Sequence, residues 1–205
     1  MTYLENGSGQ DGYRIVLAHG AGAPMDSPFM DYFAENLAAA GHHVIRFEFP
    51  YMELRRQEGS KRPPDRQPKL LDRWREVIEA VGPASDLVIG GKSMGGRMAS
   101  LIADEMSVGG LVCLGYPFYA PGKADKPRTE HLEILKTPTL IVQGERDSMG
   151  NRTAVEGYSL SSAIQMSWLP DGDHSFKPRK ASGRTEEQNW QDGVARVSAF
   201  VRSLG

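Results

Sequence analysis

Apolar positions in this chain fall into short, nearly unbroken runs separated by stretches with helical spacing. The runs are YRIVLAHG from Tyr13, HVIRFEFP from His43, DLVIGGKS from Asp86, LVCLGYP from Leu111, TLIVQGERD from Thr139 and IQMSWLPDGDH from Ile164. Most are apolar throughout rather than alternating, the pattern of strands covered on both faces, as in a parallel sheet. Between them Phe29, Phe33 and Leu37 recur at four-residue spacing. Leu70, Trp74 and Ile78 do the same, with Val77 and Val81 alongside. Trp190, Val194, Val197, Val201 and Leu204 mark one face of a closing helix. This alternation predicts a doubly wound α/β fold, a mostly parallel sheet with helices on both faces. The stretch from Tyr51 to Pro68, YMELRRQEGSKRPPDRQP, is rich in proline and charge and reads as an exposed loop between the second strand and its helix. No repeat, low-complexity tract or linker divides the chain, so residues 1–205 are read as a single domain.

Composition changes this picture little. A net charge of −2 gives no global signal for nucleic acid or an anionic membrane. Cys113 is the only cysteine and lies in an apolar run, so it reads as a small buried hydrophobe in a reducing compartment. The N-terminal residues lack the basic start and apolar stretch of a signal peptide, and no run approaches a membrane span in length. A cytoplasmic protein, monomeric or a small homo-oligomer, is the expectation.

Candidate chemistry concentrates in VIGGKSMGGRMAS, from Val88 to Ser100. Its GKS resembles the tail of a phosphate-binding loop, but the first glycine of that motif would fall at Asp86, and the intervening LVIG is strand-like. The same residues contain G-x-S-x-G as Gly91, Ser93 and Gly95, a tight strand-to-helix turn that presents a serine. A serine hydroxyl needs a base to take its proton. His174, just past the last strand, is the candidate, whereas His131 lies far from a strand end. Asp147, after the preceding strand, is the candidate acid, with Glu145 second. Asp171 and Asp173 sit in a glycine-containing turn and read as turn formers. The ends of parallel strands place Ser93, Asp147 and His174 on one edge, where open α/β sheets bind ligands. The amides of Met94 and of Ala21, in AHGAGAPMDS, are the candidate oxyanion donors, with Gly22 as an alternative to Ala21. His19 reads as a brace for that loop. His42 and His43 belong to no metal-ligand spacing, and neither metal nor cofactor is expected.

In that order AHGAG, GGKSMGG, GERD and GDHSF resemble the oxyanion loop, elbow, acid and histidine of the α/β-hydrolase superfamily. More narrowly, GYPFYAPGKADKPRTEHL and QGERDSMGN resemble small bacterial, dienelactone-hydrolase-like proteins related to a testis-expressed protein and to a subunit of a nuclear histone-acetylation complex. The resemblance covers nearly the whole chain. It implies an α/β-hydrolase fold and a Ser-His-Asp triad, without a substrate, and some relatives are interaction proteins. About a dozen residues precede the first buried strand, too few for the superfamily's usual antiparallel N-terminal strands. A sheet of six or seven strands is expected, with no large cap domain, because the segment between LGYP and TLIV is short.

The resulting expectation is a serine hydrolase cleaving an ester or thioester of a small-molecule acyl substrate through an acyl-enzyme. The alternative is a hydrolase-like protein-interaction module with a vestigial triad. Tyr116, Phe118 and Tyr119 follow a strand at the active edge and either wall the site or pack their own loop. Lys177 and Arg179, in FKPRKASGR, either attract an anionic substrate or belong to a solvated charged loop.

Overall fold

A computed structural model describes residues 2–8 and 12–205. In chain order the elements are β1 (Tyr3–Asn6), β2 (Arg14–Ala18), α1 (Pro28–Ala39), β3 (His43–Phe47), α2 (Pro50–Glu58), α3 (Gln67–Val81), β4 (Leu87–Lys92), α4 (Met94–Met106), β5 (Gly110–Leu114), β6 (Thr139–Gly144), α5 (Arg152–Val155), β7 (Ile164–Leu169) and α6 (Glu186–Arg202). The strands form one seven-stranded sheet in the order β1-β3-β2-β4-β5-β6-β7. All neighbours pair parallel except β1 with β3.

The six apolar runs became the six parallel strands. Every residue of β5 and β6 is buried, as unbroken hydrophobicity requires. The edge strand β7 is only partly covered. Helices α2, α3 and α4 pack on one face around Trp74, Met98, Ile102 and Tyr116. Helices α1 and α6 pack on the other around Phe33, Leu37, Val197 and Phe176. Each face therefore has its own hydrophobic cluster, and the sheet lies between them.

Two expectations are corrected. The short N-terminal segment does supply an antiparallel strand, because Tyr3–Asn6 need only reach back along the exposed side of β3. The stretch read as a loop from Tyr51 begins as helix α2. Pro50 suits a first helical turn, where its missing N–H is no loss, and Gly59 ends the helix with φ 66°. Only Tyr51 and Met52 of α2 are buried, so the helix has too small an apolar face for periodicity to reveal it. Residues 59–66 keep the expected irregular course.

The chain adds β3 on one side of β2 and then β4 on the other. This reversal opens a crevice at the carboxyl ends of β2 and β4. Between β5 and β6 only one short 3₁₀ turn, Glu130–Leu132, interrupts the loop, so no cap domain covers that edge.

Candidate active site

Ser93 stands between β4 and α4 with φ 50° and ψ −113°, a conformation that side chains rarely adopt. The turn is held by close backbone approach. A Cβ on Gly91, where φ is 149°, would lie 2.0 Å from the Ala18 carbonyl oxygen, and one on Gly95 would lie 2.5 Å from it. The glycines of G-x-S-x-G are thus demanded by β2 passing against the elbow. The phosphate-loop reading fails for a structural reason: Leu87–Lys92 is strand, and its amides are committed to the sheet.

Three residues from three strand ends meet. His174 Nε2 lies 2.8 Å from Ser93 Oγ, and His174 Nδ1 lies 2.7 Å from Asp147 Oδ2. The carboxylate can only accept, so Nδ1 carries the proton and Nε2 is left to accept from the serine hydroxyl. Asp147 is fully buried. Its Oδ1 accepts from the Met149 amide at 2.8 Å, and its Oδ2 also accepts from Gln143 Nε2 at 2.8 Å. Gln143 is buried too, and it donates to the carbonyls of Tyr116 and Gly150 and accepts from the Tyr116 amide. Sequence reasoning passed over Gln143. The signal was there, as the one long polar side chain in the buried run TLIVQG.

Met94 is the first residue of α4, so its amide has no acceptor within the helix. Ala21 lies in the loop after β2, and two side chains hold the peptide unit that precedes it. His19 Nε2 accepts from the Phe49 amide at 3.1 Å, so Nδ1 carries the proton and donates to the Gly20 carbonyl at 2.6 Å. Burial holds His19 below its ordinary pKa, which keeps it in this neutral form. The Tyr51 hydroxyl lies 3.3 Å from the Gly20 carbonyl and 2.9 Å from that of Ala21. In a trans peptide the N–H points opposite to the C=O. The Ala21 amide is therefore turned away from His19 and Tyr51, and a Cβ on Gly20 would stand 3.8 Å from the Cβ of Ser93. His19 has the bracing position read from the sequence. Tyr51 was missed because its helix was.

Lys92 occupies the variable position of G-x-S-x-G, yet its side chain is engaged. Its ammonium donates to the His174 carbonyl and lies 5.2 Å from the ring centre of Phe29 and 5.7 Å from that of Phe176. Burial pushes this ammonium down to about 8, with Asp147 and Asp173 opposing the shift. Lys92 thereby ties the loop bearing His174 to the strand bearing Ser93.

The remaining candidates divide by burial. Tyr116 and Phe118 are fully buried and Tyr119 nearly so, and all three belong to the core cluster of the α4 face. Arg179 is exposed but forms a paired contact with Asp171, whose carboxyl it holds down to about 2. Lys177 lies 3.9 Å from Glu186. Asp173 caps its own turn by accepting from the amides of Ser175 and Lys177. No group of three or more potential metal-ligating side chains occurs among the described residues.

Comparison with known proteins agrees with this architecture. A family model described as an alpha/beta hydrolase domain matches residues 11–202. The structure is similar to an alpha-beta serine hydrolase homologue from Coxiella burnetii, at 17% identity over 99% of this chain and 91% of that one, with a TM-score of 0.68. It is similar to an a/b serine hydrolase without lid from Xanthomonas campestris, at 18% identity over 98% and 88% of the two chains, with a TM-score of 0.69. It is also similar to a monoacylglycerol lipase from Paleococcus ferrophilus, at 15% identity over 97% and 98%, with a TM-score of 0.70.

Proposed function

The chain belongs to the alpha/beta-hydrolase family, and from that premise we propose that it is a serine hydrolase that cleaves an ester or thioester through an acyl-enzyme. The observation that carries this reading is the unbroken hydrogen-bonded chain from Ser93 through His174 to the buried Asp147. In the proposed reaction Ser93 Oγ attacks the acyl carbonyl while His174 Nε2 takes its proton. Asp147 holds the tautomer and stabilises the imidazolium. The amides of Met94 and Ala21 donate to the oxyanion, a role in which one donor contributes about 3–4 kcal/mol to transition-state binding. His174 returns its proton to the departing alkoxide or thiolate. Water then releases the acyl group by the same steps.

The substrate is a small acyl compound, and the proposed reaction uses no cofactor. A place among the dienelactone-hydrolase-like proteins related to the testis-expressed group, and a cytoplasmic location suited to one buried free thiol, belong to the same proposal.

A fluorophosphonate probe tests it. Mass spectrometry is expected to find the label on Ser93 in the wild-type protein and none in Ser93→Ala or His174→Ala. A folded wild-type protein that takes no label would replace the hydrolase with an interaction module.

A further inference from the structure

The hydrogen bond between Asp147 and His174 has a third participant. Gln143, on β6, is fully buried and reaches forward to Asp147. Its neighbours fix which way its amide points. The Tyr116 amide can only donate, so it meets Oε1 at 2.7 Å, and the Asp147 carboxylate can only accept, so it meets Nε2 at 2.8 Å. A glutamine amide has two hydrogens to give. One goes to Asp147 Oδ2, and the other is left to the carbonyls of Gly150 at 3.1 Å and Tyr116 at 3.2 Å. A glutamine placed only to satisfy the Tyr116 peptide would need the two Tyr116 contacts and no carboxylate.

Each of these contacts bears on the line from Ser93 to Asp147. The terminal torsion of an aspartate is broad, so one contact does not set the plane of its carboxylate. The Met149 amide holds Oδ1 at 2.8 Å, and Gln143 holds Oδ2, the same oxygen that meets His174 Nδ1 at 2.7 Å. The grip on Tyr116 reaches the histidine from the other side. Gly115, its neighbour, has φ 69°, and a Cβ there would stand 2.8 Å from the His174 carbonyl oxygen and 3.5 Å from Nδ1. One buried side chain thus fixes the acid, the loop of the acid through Gly150, and the turn against which the histidine rests.

We propose that Gln143 is a positioning residue for the acid of this site: its amide hydrogen sets Asp147 Oδ2 against His174 Nδ1, and without it the reaction loses rate rather than affinity. The assignment rests on the hydrolase reading above, and its test separates the two. Gln143→Glu is nearly isosteric and is the discriminating change. Protonated, the new carboxyl still accepts from the Tyr116 amide and donates its O–H to Asp147. Ionised, it has no hydrogen to give and faces Asp147 as a second anion. The charged groups facing this position among the described residues are Asp147 and, beyond it, His174 and the Lys92 ammonium, which Asp147 favours. Gln143→Met keeps the length and removes the donor at every pH.

Turnover of 4-nitrophenyl acetate is the first readout, as the ratio of each variant's kcat to the wild-type value at the same pH. Gln143→Met is expected to lose about tenfold or more at every pH, the usual effect of a lost hydrogen bond to a charged group. Its KM changes by less than about twofold, because the buried Gln143 has no surface for substrate. Gln143→Glu is expected to exceed Gln143→Met at about pH 5 and to fall toward it as the pH rises. If Ser93 takes the fluorophosphonate label but Gln143→Met keeps kcat within about twofold of wild type, or Gln143→Glu is no faster than Gln143→Met at about pH 5, the positioning role is overturned and the hydrolase stands. Proton NMR of the wild-type protein carrying nitrogen-labelled glutamine is the second readout and needs neither turnover nor a variant. The Gln143 side-chain amide is expected to shift when acid charges His174, by more than the amides of the exposed Gln57 and Gln188. If no ester is turned over and Ser93 takes no label, the hydrolase reading fails, and this shift alone decides whether Gln143 holds the Asp147–His174 pair. The same shift decides if a variant does not fold, and a Gln143 signal that ignores the charging of His174 overturns the proposal.

Discussion

Ser93 pays a conformational cost for its position. A non-glycine residue at φ 50° and ψ −113° is held there only because its neighbours over-determine the turn. Removing the side chain has two separable consequences. Ser93→Ala keeps the strain and loses the proposed nucleophile, while Ser93→Gly loses both. Chemical denaturation is expected to find the glycine variant about 1 kcal/mol more stable than the alanine variant, with both refusing the fluorophosphonate label. Equal stabilities would mean that the elbow stores no strain. Lys92 makes a second prediction at this scale. Its folded pKa of about 8 lies below the ordinary 10.5, so between these values the folded chain binds fewer protons than the unfolded one. Stability at this residue therefore rises with pH across that window, and the cost of burying the ammonium is in full force below it. Compared with Lys92→Met, the wild-type protein is expected to gain stability from pH 8 to 10.5, and parallel urea titrations check the trend.

At the scale of elements, the site is assembled by parts that do not touch the reacting atoms. Helix α2 buries little, yet it delivers Tyr51 to the carbonyls of Gly20 and Ala21. Asp65 caps this arrangement by accepting from the Tyr51 amide at 2.9 Å. The loop after β2 therefore has its peptide planes set from a helix that follows β3. Tyr51→Phe keeps the buried ring and removes the hydroxyl. We expect kcat to fall about tenfold, with a smaller change in KM, since in the proposed reaction the lost contact orients a donor to the oxyanion rather than to the ground state. A change confined to KM would show that the loop needs no such anchor. The signature of α2 in the sequence was Pro50 and Gly59, not periodicity, and that is why a helix was mistaken for a loop.

For the molecule as a whole, the decisive feature is the uncovered carboxyl edge of the sheet. The connections there are loops, one-turn segments and the nine-residue helix α2, with no cap domain over Ser93 among the described residues. A site without a lid has nothing for a lipid surface to open. Hydrolysis of short acyl esters is accordingly expected to saturate smoothly as substrate crosses its solubility limit. A jump in rate at that limit, measured against a detergent-free control, would point to a hidden conformational gate.

Sequence alone determined the six parallel strands, because burial on both faces leaves a run no room for polar residues. It also singled out Ser93, Asp147 and His174, since strand ends in such a sheet share an edge and only a few polar residues stand at each. What it left undecided were the contacts between residues distant in the chain. Tyr51 on the Ala21 carbonyl, Gln143 on Asp147 and Lys92 on the His174 carbonyl each join separate elements. Whether a charge has a partner is a fact of the same kind. Arg179 stands among basic residues in the sequence, but folding brings Asp171 to it. Periodicity and local motifs record which way a side chain faces; only the packed chain records what it meets there.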